Sequence, residues 1–279
     1  MGYLQRYRYY LQLLSSLNLR RFFNLLRVET GYAISRILRK PLVLGKPWAA
    51  SIEPTTSCNL RCPECPTGMQ TLTRSKGNMD MVTFQKILDK LAPDLIYLTL
   101  YFQGEPLINP HFSEMVKMAR DRNTFVATST NGHFLDDENV EKIIKSGLNH
   151  LIISLDGLDQ QTYEKYRVKG DFQSVIDGIH RLVTARKAAK SNSPFIELQF
   201  LVMRHNEHQV KQVKEFAKRS GVDKLSLKTA QVYNFDAESS IIPTLKGKSR
   251  YRQLPDGSWV IAKKIRNHFC LERTRYTTT

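Results

Sequence analysis

The stretch SIEPTTSCNLRCPECPTG, residues 51–68, places three of the four cysteines of this chain within eight residues, at Cys58, Cys62 and Cys65. It continues from WAASIE (48–53), a short apolar run that predicts a β-strand. So tight a group of thiols does not resemble a disulfide framework. In a reducing compartment, clustered cysteines bind metal or take part in catalysis. A metal-binding or reactive loop at the end of a strand is therefore expected.

From this loop onward, short β-rich runs alternate with stretches of helical periodicity. The predicted strands are 48–53, 95–102, 124–130, 150–156, 195–203 and 224–229, and the predicted helices are 82–92, 110–121, 137–146, 160 onward, 172–189 and 207–220. Strands that alternate with helices form parallel βαβ units. Six such units predict an α/β fold, a partial (β/α)6 TIM-like barrel, whose chemistry gathers at the carboxyl ends of the strands.

Two segments flank the predicted barrel core of residues 48–229. Residues 1–40, within a first segment 1–47, predict a basic amphipathic helix in which leucine and phenylalanine mix with arginine. Such a helix can lie on an anionic membrane surface, but packing on the barrel with the arginines in water is favoured. In the last segment, 230–279, RYRQLPDGSWVIAKK predicts a hairpin about a Pro-Asp-Gly turn.

The formal net charge of +16 belongs to the two ends of the chain. Residues 1–47 contain nine Lys/Arg and one Glu, and residues 240–279 contain nine Lys/Arg and two acids, so the ends carry +8 and +7. Nucleic-acid enzymes more often carry such charge along the working face, which argues against a nucleic-acid partner. With no long apolar run and no leader pattern, we expect a cytoplasmic protein, with peripheral membrane contact through residues 1–40 as the alternative.

Three clustered thiols are more compatible with an iron–sulfur cluster than with a single metal ion. A structural zinc site needs four ligands, and only Cys270 could complete one here, since no spacing pattern points to His111, His133 or a more distant histidine. A four-iron cluster takes one thiolate per iron, so three cysteines leave one iron open to a chelating small molecule. We favour that interpretation, with a zinc site and a chance group of buried thiols as alternatives.

CNLRCPEC (58–65) matches the Cys-x3-Cys-x2-Cys signature of the radical S-adenosylmethionine enzymes, which the chain resembles over about residues 48–229. The resemblance implies that Cys58, Cys62 and Cys65 hold one 4Fe-4S cluster and that S-adenosylmethionine chelates its open iron. A reductant such as a flavodoxin or ferredoxin would supply the electron, and a 5′-deoxyadenosyl radical would abstract a substrate hydrogen. Because the radical abstracts the hydrogen, no catalytic acid or base is assigned.

Further motifs follow the next strands. QGEP (103–106) resembles the family's Gly-Gly-Glu-Pro motif, with Gln103 in the first glycine position. The resemblance implies that Glu105 accepts hydrogen bonds from the cofactor ammonium and that Gly104 permits close backbone approach. In many relatives an aromatic residue precedes the third cysteine, where this chain has Glu64, so only main-chain contacts to the adenine are expected there.

Polar residues at the third and fourth strand ends resemble the family's ribose and carboxylate contacts: Thr130, Asn131 and Ser154. Ordinary strand-to-helix capping is the alternative for them. Arg167 falls where relatives bind the cofactor carboxylate, although a solvated helical arginine would look the same. Asp156 and Lys228 are expected at the same rim, with exposed charges at strand ends as the alternative.

TSTNGHFL, LIISLDG, TYEKYR and LQFLVMRHNE look like the subgroup that carries a C-terminal SPASM-type domain with auxiliary clusters and commonly acts on peptides. We therefore expect a peptide among the candidate substrates. Because Cys270 alone cannot hold an auxiliary cluster, we predict one cluster only, with residues 230–279 as the start of a truncated cysteine-rich domain. The alternative is a non-catalytic, cluster- or partner-binding remnant of such an enzyme.

Overall fold

The computed structural model describes residues 3–232, 241–245, 247–257 and 259–261. Within these ranges the helices are α1 (Tyr3–Ser15), α2 (Leu19–Leu38), α3 (Met81–Leu91), α4 (Phe112–Asp121), α5 (Asp137–Ser146), α6 (Gln160–Glu164), α7 (Phe172–Ala188) and α8 (Val210–Arg219). The strands are β1 (Ala49–Ser51), β2 (Tyr97–Thr99), β3 (Phe125–Thr130), β4 (His150–Ser154), β5 (Phe195–Val202), β6 (Lys224–Thr229), β7 (Tyr251–Gln253) and β8 (Trp259–Ile261).

Strands β1 to β6 form one parallel sheet in sequential order, so that β1 and β6 lie at its two edges. The helices between successive strands return the chain to the same end of the sheet, as parallel pairing requires. Strands β7 and β8 form the separate antiparallel hairpin. The predicted fold class, a partial (β/α)6 TIM-like barrel with a helical extension and a hairpin, is confirmed.

The core lies between the sheet and the helices that follow its strands. Helix α4 illustrates the packing, because Phe112, Met115, Val116 and Ala119 recur at i, i+3, i+4 and i+7 and are all buried. Each fully buried apolar side chain of this size contributes about 1.5–3 kcal/mol through removal from water. This periodic packing fixes the helices against the sheet and holds the strand ends in place.

Aspartates begin four of these helices. Asp80, Asp136, Asp159 and Asp171 each accept a hydrogen bond from the backbone N–H three residues later, before α3, α5, α6 and α7. An N-cap of this kind contributes about 1 kcal/mol by satisfying an otherwise unpaired N–H group. The caps also fix where each loop at the carboxyl end of the sheet stops.

The first two strands are shorter than their apolar runs predict. Beyond β1 and β2, side chains replace the ladder, since Ser51 Oγ donates to the Tyr101 carbonyl at 2.8 Å and Glu53 Oε1 accepts from Gln103 N at 2.9 Å. Polar residues at these strand ends therefore bind the opposing loop backbone rather than continuing the sheet.

The N-terminal segment is helical as predicted, but it forms two helices with a break at residues 16–18, where Asn18 caps α2. The expectation that its arginines lie in water is wrong for Arg21. The Arg21 guanidinium is buried and donates to four backbone carbonyl groups, those of Ser16, Ala92, Arg122 and Asn123. A buried cation needs such compensation.

Helices α1 and α2 close the amino-terminal end of the sheet, which we call the floor. The ring of Tyr9 lies within about 5 Å of the rings of Phe125, His150 and Phe195, at the starts of β3, β4 and β5. Beside them, Glu197 Oε2 lies 3.1 Å from His150 Nε2. Burial raises the pKa of Glu197, but hydrogen bonds from His150 and Lys224 outweigh burial and lower it to about 2. The floor is thus a packed aromatic and charged layer.

No helix in the described part of the chain combines the length and apolar character needed to cross a bilayer.

Candidate functional site

The cysteine loop leaves β1 at the carboxyl end of the sheet and folds back on itself. Cys65 N donates to the Cys62 carbonyl, and Met69 N donates to the Cys65 carbonyl. Gly68 is needed for this turn, because an added Cβ would lie 2.4 Å from the Cys62 carbonyl oxygen. Such a compact loop brings the three thiols to one side of the sheet.

The three cysteines are free thiols that share one apolar environment. They pack with a cluster that includes Leu60, Tyr166 and Met203. Burial raises the pKa of Cys58 to about 11 and also raises the pKa of Cys62. As thiolates they would therefore need a bound cation to offset their desolvation.

This donor set fits an iron–sulfur cluster. The three thiols are free and share one apolar environment, with the Asn131 amide and the Arg167 guanidinium beside them. A four-iron cluster binds each thiolate through a different iron, so it requires free thiols around a shared volume rather than around one point. Cys270, the fourth cysteine, lies outside the described residues.

Glu105 is buried beside this loop and is held by the neighbouring strand end. Its Oε1 accepts from Thr130 Oγ1 at 2.8 Å and its Oε2 accepts from Asn131 N at 2.7 Å. Burial raises the pKa of Glu105 to about 7 in spite of these hydrogen bonds. A carboxyl group so placed would gain from a cationic ligand, which would favour its ionised form.

Gly104 permits the close approach of this segment to the cysteine loop. Its φ is +75°, and an added Cβ would lie 2.4 Å from the Thr55 carbonyl oxygen. The next residue, Glu105, donates its N–H to the Ser57 carbonyl at 2.7 Å. Both the left-handed backbone and the missing side chain are therefore required here.

Asn131 connects the third strand end to the cysteine loop. Its Nδ2 donates to Asn59 Oδ1 at 2.7 Å and lies 3.8 Å from Cys58 Sγ. Thr130 also accepts from Gly132 N at 3.0 Å, which is a local turn contact. Thr130 and Asn131 therefore both bind Glu105, and Asn131 also contacts the cysteine loop, whereas the cap of the next helix is Asp136.

Arg167 and Asp156 form a buried ion pair near the second cysteine. Arg167 Nε donates to Asp156 Oδ2 at 2.6 Å, and Arg167 Nη1 lies 3.8 Å from Cys62 Sγ. Asp156 also accepts from Leu201 N at 2.7 Å. The solvent-exposed alternatives for Arg167 and Asp156 are wrong, whereas Lys228 is exposed.

Ser154 is buried at the end of β4, where it pairs in register with Gln199. Among the residues that the structure describes, its hydroxyl makes none of the hydrogen bonds that join the other predicted site residues. The structure thus gathers Cys58, Cys62, Cys65, Gly104, Glu105, Thr130, Asn131 and Arg167 through direct contacts, and places Ser154 at the same sheet end without one.

Sequence reasoning did not assign a role to Asn59, Glu53 or Gln103. Gln103 Oε1 accepts from the Cys65 thiol at 3.3 Å and lies 3.3 Å from Thr67 Oγ1, while Glu53 holds the Gln103 backbone. The signals were present, since Gln103 departs from the glycine of the resembled motif and Glu53 is a charged residue that ends an apolar run.

Comparison with known proteins agrees with this geometry. Residues 52–223 match the Radical SAM superfamily. The tungsten-containing aldehyde ferredoxin oxidoreductase cofactor-modifying protein of Pyrococcus furiosus is 30% identical over 176 residues, 62% of this chain and 48% of that protein. The PqqA peptide cyclase of Gluconobacter oxydans is 26% identical over 190 residues, 68% of this chain and 51% of that protein. The chain spans about half the length of these curated relatives.

Among solved structures, Streptococcus suis SuiB bound to S-adenosylmethionine superposes with a TM-score of 0.59 at 15% identity, over 78% of this chain and 47% of that chain. This similarity shows a shared fold. The family match covers more than half of the chain and includes the cysteine loop together with the carboxyl ends of β2 to β5. The chain therefore belongs to the Radical SAM superfamily of enzymes.

Proposed function

We propose that this protein binds one 4Fe-4S cluster through Cys58, Cys62 and Cys65 and cleaves S-adenosylmethionine reductively. The observation that carries the proposal is the placement of three free thiols on one loop against a buried carboxylate, amide and guanidinium. When bound, the reduced cluster supplies the electron that converts S-adenosylmethionine into methionine and a 5′-deoxyadenosyl radical. A flavodoxin or ferredoxin is the proposed reductant.

Glu105 is the proposed partner of the cofactor ammonium. Its two oxygens are oriented by Thr130 and Asn131, so little rotational freedom is lost when a cation arrives. The ammonium would also lower the pKa of this buried carboxyl group, because an opposite charge favours the ionised form. Binding of the amino acid moiety and ionisation of Glu105 would therefore be coupled.

Arg167 is the proposed partner of the cofactor carboxylate and a positive charge beside the cluster. Asp156 fixes its guanidinium at 2.6 Å, and the Coulombic attraction of Arg167 lowers the pKa of Cys62 against the larger effect of burial. The fork of the guanidinium leaves donors beyond the Asp156 contact, as carboxylate recognition requires. We assign ribose and carboxylate contacts of the cofactor to Thr130, Asn131 and Ser154.

We assign this chemistry to the core of residues 48–229, with residues 1–47 and 230–279 as flanking segments. Peptides are the proposed substrate class. The support comes from relatives named PqqA peptide cyclase and mycofactocin maturase MftC, and from the fold of SuiB, solved with its precursor peptide SuiA. Hydrogen abstraction from a peptide would take place at the carboxyl ends of the strands.

Anaerobic reconstitution with iron and sulfide, reduction with dithionite and addition of S-adenosylmethionine test the first step. We expect 5′-deoxyadenosine from the wild type and from Cys270→Ala, and none from Cys62→Ala. The Cys270→Ala variant is the matched control, since it also removes one thiol but leaves the cysteine loop intact. A fully loaded wild-type cluster without product would contradict the proposed cleavage, and product from Cys62→Ala would contradict the ligand assignment.

Isotope transfer tests the substrate class separately. We expect deuterium in 5′-deoxyadenosine when the active protein turns over with a pool of deuterated peptides, and none with deuterated free amino acids. Transfer from the free amino acids alone would exclude peptides while leaving the cleavage step in place.

A further inference from the structure

Helix α2 exposes a stripe of large apolar side chains on the side that points away from the barrel. A surface helix normally turns its apolar stripe toward the core. Here Arg21 and Asn24 are buried against the barrel, whereas Leu19 is 77% exposed and Ile37 is 79% exposed. The same outward stripe includes Phe22, at three residues from Leu19, as helical spacing requires.

The other parts of the N-terminal segment repeat this pattern. Along α1, Tyr7, Tyr10, Leu11 and Leu14 recur at i, i+3, i+4 and i+7, and all four are exposed. After α2, the run from Leu42 to Leu44 is also exposed, with Val43 at 86%. We call these side chains, together with the exposed stripe of α2, the apolar floor surface. A contiguous exposed apolar surface of this kind marks an interaction site.

This surface belongs to one end of the molecule. Helix α1 is held by Arg8 and Gln12, which donate to Asn192 and Ser193 just before β5. Helix α2 is held by Arg20, which pairs with Asp94 before β2. These loops precede the strands, so the apolar floor surface lies opposite the cysteine loop, which follows a strand.

The surroundings of the apolar floor surface are positively charged. Residues 1–47 contain nine Lys/Arg and a single Glu. Arg27, Arg36, Arg39 and Lys40 are exposed beside the apolar side chains. The positive charge continues around α1, where a cavity of about 630 Å³ is lined by Arg8 and by exposed lysines of α7 and α8. The acidic residue in its lining is Asp223, which pairs with Arg186.

The charge selects the partner. A second copy of the chain would present the same positive surface and would be repelled. The C-terminal residues 262–279 of the same chain would also be repelled, because they contain five Lys/Arg against one Glu. Nucleic acid would match the charge but would leave the exposed leucine and phenylalanine side chains without an apolar partner. An anionic lipid surface provides both phosphate groups and an acyl boundary.

We propose that residues 3–46 dock this protein on the surface of an anionic lipid bilayer. The apolar floor surface enters the boundary between headgroups and acyl chains, the flanking arginines and lysines contact lipid phosphates, and the cysteine loop faces the aqueous phase. The proposal is independent of the radical chemistry, because lipid binding can be measured on protein that holds no cluster.

Flotation of the full chain with vesicles of phosphatidylcholine, with and without about one third phosphatidylglycerol, tests the docking. We expect binding to the anionic vesicles only, and loss of this binding at high salt. Phe22→Glu should weaken binding at least about tenfold, since an apolar anchor of that size is replaced by a charge. Val82→Glu, at an exposed apolar position on α3, is the matched control and should bind as the wild type does.

A second pair of variants tests the charges. Arg27→Glu should reduce binding by about fivefold or more, whereas Lys142→Glu on the distant helix α5 should not change it. Thermal unfolding of all four variants checks that the fold is intact, which their exposure favours.

Absence of vesicle binding by the wild type would overturn the proposal, as would equal binding by Phe22→Glu. If lipid does not bind, binding of a labelled DNA duplex and sedimentation velocity would show which other partner the surface takes. DNA binding that survives Phe22→Glu would identify nucleic acid as the partner, and a dimer that Phe22→Glu dissociates would identify a second copy.

Discussion

A carboxyl group as completely buried as Glu105 makes the stability of the protein depend on pH. Its pKa is about 7 in the fold, against 4.5 for an ordinary glutamate, because burial disfavours its charge. Between these two values the folded state keeps a proton that the unfolded state releases. The contribution of Glu105 to folding stability is therefore complete below about pH 4.5 and is lost as pH rises toward 7.

We predict that cluster-free wild-type protein loses about 3 kcal/mol between about pH 4.5 and 7 relative to Glu105→Gln, since one pKa unit corresponds to about 1.4 kcal/mol. Anaerobic urea unfolding of both proteins across this range measures the difference. Gln keeps the shape and the acceptor oxygen, so it is also the control for packing. Parallel stability curves would show that Glu105 is ionised in the fold throughout.

The ion pair of Arg167 and Asp156 is the second buried charge at the site. We predict that Arg167→Met lowers the free energy of unfolding by about 3–5 kcal/mol, because it leaves the Asp156 charge without its partner in the interior. Urea unfolding of the cluster-free variant measures this. In Lys142→Met the lost partner, Glu138, is exposed, so no change in the melting temperature is expected. If Arg167→Met and Lys142→Met changed the free energy of unfolding equally, water would have to reach the Asp156 carboxylate in the fold.

The buried Arg21 makes several of the contacts that hold helix α2 on the barrel. Because Arg21 binds carbonyl groups from three separate segments, we predict that Arg21→Met destabilises the protein by at least about 3 kcal/mol and loosens α1 and α2 first. Hydrogen exchange should show faster exchange in residues 3–38 than in the strands.

Arg27→Met is the matched control on the same helix, since Arg27 is exposed, and its exchange should equal that of the wild type. If Arg21→Met leaves the exchange of residues 3–38 unchanged, apolar contacts such as those of Tyr9 hold these helices instead.

Helices and strands whose sequence patterns lie within their own residues were predictable from sequence. The alternation between strand-like and helical apolar periods placed the six parallel strands and the helices between them. The ends of β1 and β2 were not predictable, because Ser51 and Glu53 bind backbone groups about 50 residues away. The cysteine loop and Glu105 followed from motifs, whereas Asn59 and Gln103 have roles only through contacts that the fold creates. The burial of Arg21 was not predictable, because the amphipathic pattern of α2 does not tell which residues of the helix meet the barrel.

The whole molecule has two different ends, one that carries the cysteine loop and a floor that α1 and α2 close. We predict that removal of residues 1–47 uncovers the rings of Phe125 and Phe195 and causes aggregation. Dye binding and sedimentation velocity measure this. The control is the full chain cut by protease near the exposed Val43, with the N-terminal fragment still bound. A monomeric deletion protein with unchanged melting would show that the floor does not need its two helices.

The contacts of α1 and α2 also set an order of events during synthesis. These helices leave the ribosome before the rest of the chain, yet Arg8 and Gln12 find their partners only at Asn192 and Ser193, after four of the six strands have been made. Helix α2 can dock earlier, because its partners Asp94 and Asn123 precede β2 and β3, whereas α1 cannot complete its contacts until the chain before β5 has been made. Assembly of the floor therefore has a direction, in which α2 can dock on the first strands and α1 seals the sheet only after most of the barrel has been made.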